Sequence, residues 1–211
     1  MTRDPFTLGP DDTVATAAEL MARRKVRRLP VVDQGVVVGI VARSDIFRSC
    51  PAELNPFSPE VSRESDDEDH PQLAAPLRQV MTAHPLTVRP DAPIETAAIL
   101  MVDHKIGGLP VVTDQLVGIL TESDLFRALT ASLGAGGAGL RITFDVSQNE
   151  DPVVLILELA RRHGLRLASV SIHERNEHRT AVVRLLGTPP STLVDDLWKT
   201  GHRVLSVLRM K

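Results

Sequence analysis

The chain is written twice over. Residues 1–32 (MTRDPFTLGPDDTVATAAELMARRKVRRLPVV) and 81–112 (MTAHPLTVRPDAPIETAAILMVDHKIGGLPVV) are identical at half their positions at an offset of 80. The second copy then loses one residue, and the match resumes as GIVARSDIFR from Gly39 and GILTESDLFR from Gly118. A repeat of this kind limits the fold to architectures that use one supersecondary unit twice.

Each copy reads as the same series of elements. Asp11, Asp12 or Thr13 can cap a helix whose apolar face is Val14, Ala17, Ala18 and Met21, at helical spacing. Copy two repeats that face as Ile94, Ala97, Ala98 and Met101, with Pro93 expected at the first helical position. A β-rich run follows, Leu29-Pro30-Val31-Val32 or Leu109-Pro110-Val111-Val112. A turn at Gly35 or Asp114 leads to a second strand ending at Ile40-Val41 or Ile119-Leu120, and a second helix starts near Ser44 or Ser123.

This αββα order, with LPVV followed by G-x-x-[T/A]-x-S-D, resembles the cystathionine β-synthase (CBS) domain, two copies of which form a Bateman module. The resemblance sets CBS domain 1 at 1–48 and CBS domain 2 at 77–133. Leu77-Arg78-Gln79-Val80 precedes copy two and has no counterpart ahead of Met1, so a short leading helix is expected to be lacking there.

Residues 49–76 are rich in proline and carry the acidic run ESDDED at 64–69, a composition that favours a solvated, mobile spacer. Ser62 and Ser65 leave a phosphorylated regulatory segment as the alternative. Residues 134–139 spell G-x-G-x-x-G, but a helix precedes and a strand follows, the reverse of a dinucleotide fingerprint. They read as a glycine-rich linker.

Residues 140–211 form a separate pattern. Leu140, Ile142, Phe144 and Val146 alternate with polar residues. Pro152 starts a helix with Val153, Ile156, Leu157 and Ala160 on its buried face, ended at Gly164. Ala168, Val170 and Ile172 make a second strand and 180–186 a third. Leu193, Val194, Leu197 and Trp198 give another helix, stopped by Gly201, and 203–208 the last strand. The βαββαβ order is a ferredoxin-like plait. It resembles the ACT domain, a regulatory fold that often pairs and binds amino acids. Here Asn149-Glu150-Asp151-Pro152-Val153 stands where that family places D-x-P-G, and Val153 replaces the glycine, so pairing or scaffolding is expected over amino-acid binding. The fold class is therefore α/β (α+β): two tandem CBS units and a C-terminal ACT-like plait. The whole order resembles the acetoin-utilisation AcuB family.

Charge and composition exclude several functions. A net charge of −3 gives no general attraction to nucleic acid. Residues 140–211 hold 11 Lys and Arg against 8 Asp and Glu, too weak a bias for a nucleic-acid-binding domain. No apolar run reaches the roughly 18 residues of a membrane helix, and the N-terminus lacks the apolar core of a secretory signal. A single cysteine, Cys50, leaves no disulfide framework or cysteine-rich zinc site. A cytoplasmic protein without membrane or nucleic-acid partners is expected.

CBS pairs commonly bind adenosine-containing ligands in clefts between the copies, with a ribose motif G-h-x-[T/S]-x-x-D. Gly118-Ile119-Leu120-Thr121-Glu122-Ser123-Asp124 matches it throughout. A carboxylate can accept hydrogen bonds from two vicinal hydroxyls and the threonine hydroxyl adds a contact; the competing reading is that Asp124 caps the following helix. Copy one keeps Ser44 and Asp45 but has Ala42 at the hydroxyl position. By resemblance, the residues three and two before the LPVV proline also face the clefts: Arg27 and Arg28 in copy one, Gly107 and Gly108 in copy two. Either arginine can pair with phosphate, while a solvated helix end remains the plain reading of the basic run at 23–28. The resulting ligand set is Thr121, Ser123, Asp124, Ser44, Asp45, Arg27, Arg28, Gly107 and Gly108.

No H-E-x-x-H pair or nucleophile relay is apparent, so no catalytic residue and no metal ligand is assigned. The resemblance implies a non-enzymatic sensor, needing no cofactor and taking an adenine nucleotide (AMP, ADP, ATP, NAD) or S-adenosylmethionine as effector, and associating as a homodimer. A dimerisation scaffold without a ligand, or an amino-acid-responsive regulator acting through the tail, are the alternatives.

Overall fold

The computed structural model describes residues 1–51, 55–57, 71–134, 136–146, 152–175, 178–199 and 201–210. The chain divides into two compact units, 1–125 and 126–211.

In the first unit copy one contributes β1 (Thr2–Arg3), α1 (Val14–Arg24), β2 (Arg28–Asp33), β3 (Val36–Ala42) and α2 (Arg43–Ser49). A short helix α3 (Pro71–Ala74) and a 3-10 turn (Leu77–Gln79) follow, then copy two: β4 (Thr82–Ala83), α4 (Ile94–Asp103), β5 (Gly108–Val112), β6 (Leu116–Thr121) and the first turn of α5 (Glu122–Ser132), whose remaining residues fall in the second unit. Thr13 caps α1, its hydroxyl accepting from the Thr16 N–H at 3.1 Å. Pro93 is the cap residue of α4 and not its first helical residue. The left-handed positions recur at the same places in both copies, Asp4 with His84 and Lys25 with Lys105.

The two copies exchange their first strands. The sheets run β2-β3-β4 and β1-β6-β5, so β4, at the head of copy two, pairs with β3, and β1, at the head of copy one, pairs with β6. The registers are equivalent: Thr82 faces Ile40 and Ala83 faces Gly39, while Thr2 faces Ile119 and Arg3 faces Gly118. Such reciprocity relates the copies by an approximate two-fold. It also explains the glycine that opens each G-x-x-[T/A]-x-S-D stretch. A Cβ on Gly39 would overlap the Met81 sulfur, and one on Gly118 would lie 2.9 Å from the Thr2 carbonyl oxygen.

The cores differ in their cover. Val14, Ala17, Ala18, Met21, Leu29, Val31, Val41 and Ile46 are joined by Leu73 and Leu77. The segment carrying those leucines is tied to copy one: Val14 N–H donates to Ala75 O, Leu77 N–H to Asp12 O and Arg78 N–H to Pro10 O, at 2.8–3.0 Å. Val14 is fully buried; its counterpart Ile94 is 40% exposed, contrary to the expected face, while Ala97 and Met101 are buried as expected. The spacer is also partly packed. Pro56 is buried, and the Phe57 ring lies 5.0 Å from that of Phe47 with the Arg43 guanidinium 4.2 Å over it. The acidic run and Ser62 and Ser65 lie outside the described residues.

In the second unit β7 (Gly139–Asp145), α6 (Pro152–Arg162), β8 (Arg166–Arg175), β9 (His178–Leu186), α7 (Thr192–Lys199) and β10 (Val204–Met210) follow in order. The antiparallel sheet runs β10-β7-β9-β8, the ferredoxin-like order 4-1-3-2. Phe144, Ile142 and Leu140 face Ala181, Val183 and Leu185 across the centre of the core. Among the described side chains of α6, Ile156, Leu159 and Ala160 are buried, the first and last as expected, while Leu157 is exposed and Leu159 takes its place. Ile172 and Trp198 are likewise exposed. A bulge between Leu167 and Ser169 changes the alternation of β8, so Leu167 and Val170 both pack on the core. The 149–151 part of the ACT-like motif lies outside the described residues.

Candidate functional site

The two strand-to-helix corners, β3–α2 and β6–α5, are built alike. In copy two the Asp124 carboxylate reaches back over the first turn of α5. Its Oδ2 accepts from the Thr121 N–H at 2.9 Å and from the Thr121 hydroxyl at 2.8 Å. In copy one Asp45 Oδ2 accepts from the Ala42 N–H at 2.8 Å, with no hydroxyl to add. Both carboxylates thus satisfy a backbone donor that the helix leaves over, and the negative charge sits at the favourable end of the helix dipole. The capping reading of Asp124 is realised in the structure. A carboxylate has about four acceptor positions, so capping uses only part of each group.

The second oxygens face cations. Asp45 Oδ1 pairs with Arg48, one turn along α2. Asp124 Oδ1 lies 3.7 Å from the Met1 ammonium. Both side chains are only 9% exposed. Ser44 and Ser123 are exposed beside them.

Arg28 links the corners. Its backbone pairs with Ala42 at the copy-one corner. Its side chain lies against copy two: a Cβ on Gly108 would sit 3.0 Å from Arg28 Cδ, and one on Gly107 would overlap the guanidinium. The same guanidinium stands 3.9 Å from Glu122 Oε2. Gly107 and Gly108 therefore provide room for Arg28. Arg27 is exposed, and its carbonyl accepts from the Arg43 N–H at 2.9 Å; Gly107 does the same for Glu122 at 3.2 Å.

The structure thus brings Arg28, Gly107 and Gly108 together, and places Thr121 with Asp124. Glu122 and Arg48 were not singled out in the sequence. The available signal was a charge reversal: Glu122 stands where copy one has Arg43, in the copy that has glycine where copy one has Arg28. Among the described residues no group of His, Cys, Asp and Glu is arranged to hold a metal ion, and no helix is long and apolar enough to cross a membrane. Burial pushes the Cys50 thiol above its ordinary pKa, with the Ser49 hydroxyl acting in the opposite direction.

Comparison with known proteins gives this geometry a lineage. The CBS domain profile matches residues 1–51 and 77–131. The CBS domain-containing protein YhcV of Bacillus subtilis is 31% identical over 139 residues, which cover 65% of this chain and 88% of YhcV. MJ1225 of Methanocaldococcus jannaschii is 35% identical over 132 residues, 58% of this chain and 45% of that protein. The crystal structure of MJ1225 aligns over 61% of this chain with a TM-score of 0.50 and 26% identity, covering 45% of that chain. A crystal structure described as an acetoin utilization protein, AcuB, from Vibrio cholerae is 35% identical and covers 63% of this chain and 89% of that one, with a TM-score of 0.49. The chain spans less than half the length of some curated relatives, 45% of MJ1225 and 30% of MJ1404 from the same archaeon. With both copies matched and their first strands exchanged, the chain belongs to the CBS domain family and carries a tandem CBS pair, a Bateman module.

Proposed function

We propose that the chain is a non-catalytic sensor: an adenosine-containing ligand binds between the CBS copies, changes how they pack, and a partner or the C-terminal plait reads the change. One observation carries this reading. The Thr121 hydroxyl and the Asp124 carboxylate are joined at 2.8 Å on a corner that also holds Arg28 from the other copy. This puts acceptors suited to vicinal ribose hydroxyls near a cation suited to phosphate. Ser123, Ser44, Asp45, Arg27, Gly107 and Gly108 complete the proposed ligand set. The boundaries are proposed as 1–48 and 77–133 for the CBS domains and 140–211 for an ACT-like domain, in a cytoplasmic homodimer.

The ligand acts only through a difference in affinity between two packings of the copies. A tenfold difference corresponds to about 1.4 kcal/mol, enough to bias a switch without locking it. Calorimetric titration with AMP, ADP, ATP, NAD and S-adenosylmethionine tests the reading, and heat from at least one is expected. Replacing Asp124 with Ala removes a charge-assisted acceptor and is expected to weaken that ligand about 10- to 150-fold. No binding by any of the five refutes the sensor and leaves a dimerisation scaffold.

A further inference from the structure

We infer that the open face of the C-terminal plait carries an oxyanion site, in which Arg141 and Arg184 together hold a phosphate group, free or as a monoester. The site lies wholly within the second unit, so it stands or falls apart from the adenosine reading.

The sheet β10-β7-β9-β8 buries Leu140, Ile142, Phe144, Ala181, Val183 and Leu185 on the face that its two helices cover. On the other face the register sets one row across all four strands: Leu208, Arg141, Arg184 and Ser169. Residues opposed in this way project to the same side, with Cβ atoms about 4.5–5.5 Å apart. Two arginines therefore stand side by side, and like charges so placed oppose folding. Arg166, one row further beside Leu186, adds a third positive charge. Among the described strand residues of this face Asp145 alone is acidic, and it is paired with Arg203 at 3.0 Å. It lies four residues from Arg141, about 13 Å along β7.

Among the described residues, neither Arg141 nor Arg184 makes a side-chain hydrogen bond or an ion pair. Arg184 Nε is the one buried side-chain nitrogen or oxygen among them without a partner. Buried donors are almost always satisfied, so this orphan calls for a group that completes it. Its burial has a local cause. Gly134, at the end of α5, lies over the stem of Arg184: a Cβ there would sit 3.4 Å from Arg184 Cδ and 2.8 Å from Ala168 Cβ. The Ser169 hydroxyl fixes that end by donating to Leu133 O at 2.9 Å. A helix C-terminus brings about half a negative charge, too little to balance two guanidinium groups. On the opposite side Leu208 is 50% exposed, which leaves the face open to solvent beside Arg141.

An oxyanion meets these requirements. A phosphate has three terminal oxygens, enough to accept parallel N–H bonds from two guanidinium forks, and it carries more charge than a carboxylate. In such a fork Nε–H and a terminal N–H donate together, so a turn of the Arg184 head toward the ligand also satisfies the orphan. Thr143, the next residue along β7 on this face, has a hydroxyl to add.

The test uses the full chain, isotope-labelled, with arginine Nε–H signals followed by NMR at constant ionic strength. Inorganic phosphate, glycerol phosphate and succinate are the probes. The Arg184 Nε–H signal is expected to move with both phosphates; the tighter of the two names the source, and either order supports the site. Arg141→Gln and Arg184→Gln are each expected to weaken phosphate about 10- to 150-fold, the range for hydrogen bonds to a charged group. Arg89→Gln, an equal charge change in the first unit, is expected to leave phosphate affinity unaltered. In phosphate-free buffer the two site variants are expected to melt no lower than wild type, since each removes a like-charge contact. They are also expected to lose the rise in melting temperature that phosphate gives wild type. An Arg184 signal indifferent to phosphate, a phosphate affinity indifferent to both site substitutions, or tighter binding of succinate than of either phosphate overturns the inference.

Discussion

Substituting Ala for Gly118 tests the strand exchange most directly. The new methyl group would lie 2.9 Å from the Thr2 carbonyl oxygen and 3.0 Å from the Met1 sulfur. The sulfur can move, but the carbonyl belongs to β1 and can recede only if β1 shifts away from β6. Overpacking of this kind costs about 1–3 kcal/mol. Relief is limited by what β1 contributes, a two-residue ladder with hydrogen bonds worth about 0.5–1.5 kcal/mol each. At about 3–5 °C per kcal/mol for a unit of this size, the melting temperature should fall by about 3–15 °C. Gly39→Ala is the internal control, because the neighbour there is the flexible Met81 side chain. Its loss should be smaller than that of Gly118→Ala, because the Met81 side chain can turn aside where a backbone carbonyl cannot. Differential scanning calorimetry on both variants reads the difference. Deleting Thr2 and Arg3 should cost stability by itself and make Gly118→Ala nearly neutral, the non-additivity expected of groups in contact. A Gly118→Ala protein that melts with wild type, or a Gly39→Ala protein that melts lower, refutes the assignment.

Other substitutions probe separate contacts. Thr121→Val removes the hydroxyl bonded to Asp124 but keeps the backbone bond; urea denaturation should show a loss of about 0.5–1.5 kcal/mol. Asp45→Ala leaves the Ala42 N–H without its carboxylate and should cost about 1 kcal/mol in the same assay. Phe57→Ala removes the ring that packs against Phe47 and Arg43, and urea denaturation should show a loss of about 0.5–1.5 kcal/mol beyond the lost burial. For Cys50 the folded pKa is raised by burial, so its stabilising contribution is complete below the unfolded cysteine value, about 8.5, and is lost as pH rises through the folded value. Alkylation by iodoacetamide at pH 8 should therefore be slower than for a free thiol, and Cys50→Ala should flatten the alkaline fall in stability. A Cys50 that reacts like glutathione would contradict the burial effect.

The repeat made most of the first unit legible, because Val14, Ala17, Ala18 and Met21 carry a helical period and LPVV a strand signal. The exchange of β1 and β4 was not legible: two-residue strands have no periodicity, and their partners lie about 40 or 115 residues away. Leu77 reads locally as the start of copy two, yet its side chain is in the copy-one core, since what buries a leucine is the surface it reaches and not the sequence beside it. In the plait, alternation located β7, whereas on β8 the bulge after Leu167 breaks the period that the reading relied on. At the site, capping by Asp124 was the alternative the motif allowed, and it is the bond the Thr121 N–H makes; the added bond from the Thr121 hydroxyl was not read from the sequence. The approach of Arg28 to Gly107 and Gly108 depends on the two-fold between copies, which no single stretch of sequence encodes.

The interlocking of β1 and β4 also bears on history and on engineering. In this arrangement a lone unit completes its three-stranded sheet with a strand from a second copy, which fits descent from a unit that paired as two separate chains before their genes were joined. Cutting the module at the midpoint of the repeat should accordingly yield halves that each present an unfinished sheet border, prone to self-association, and that regain solubility when mixed.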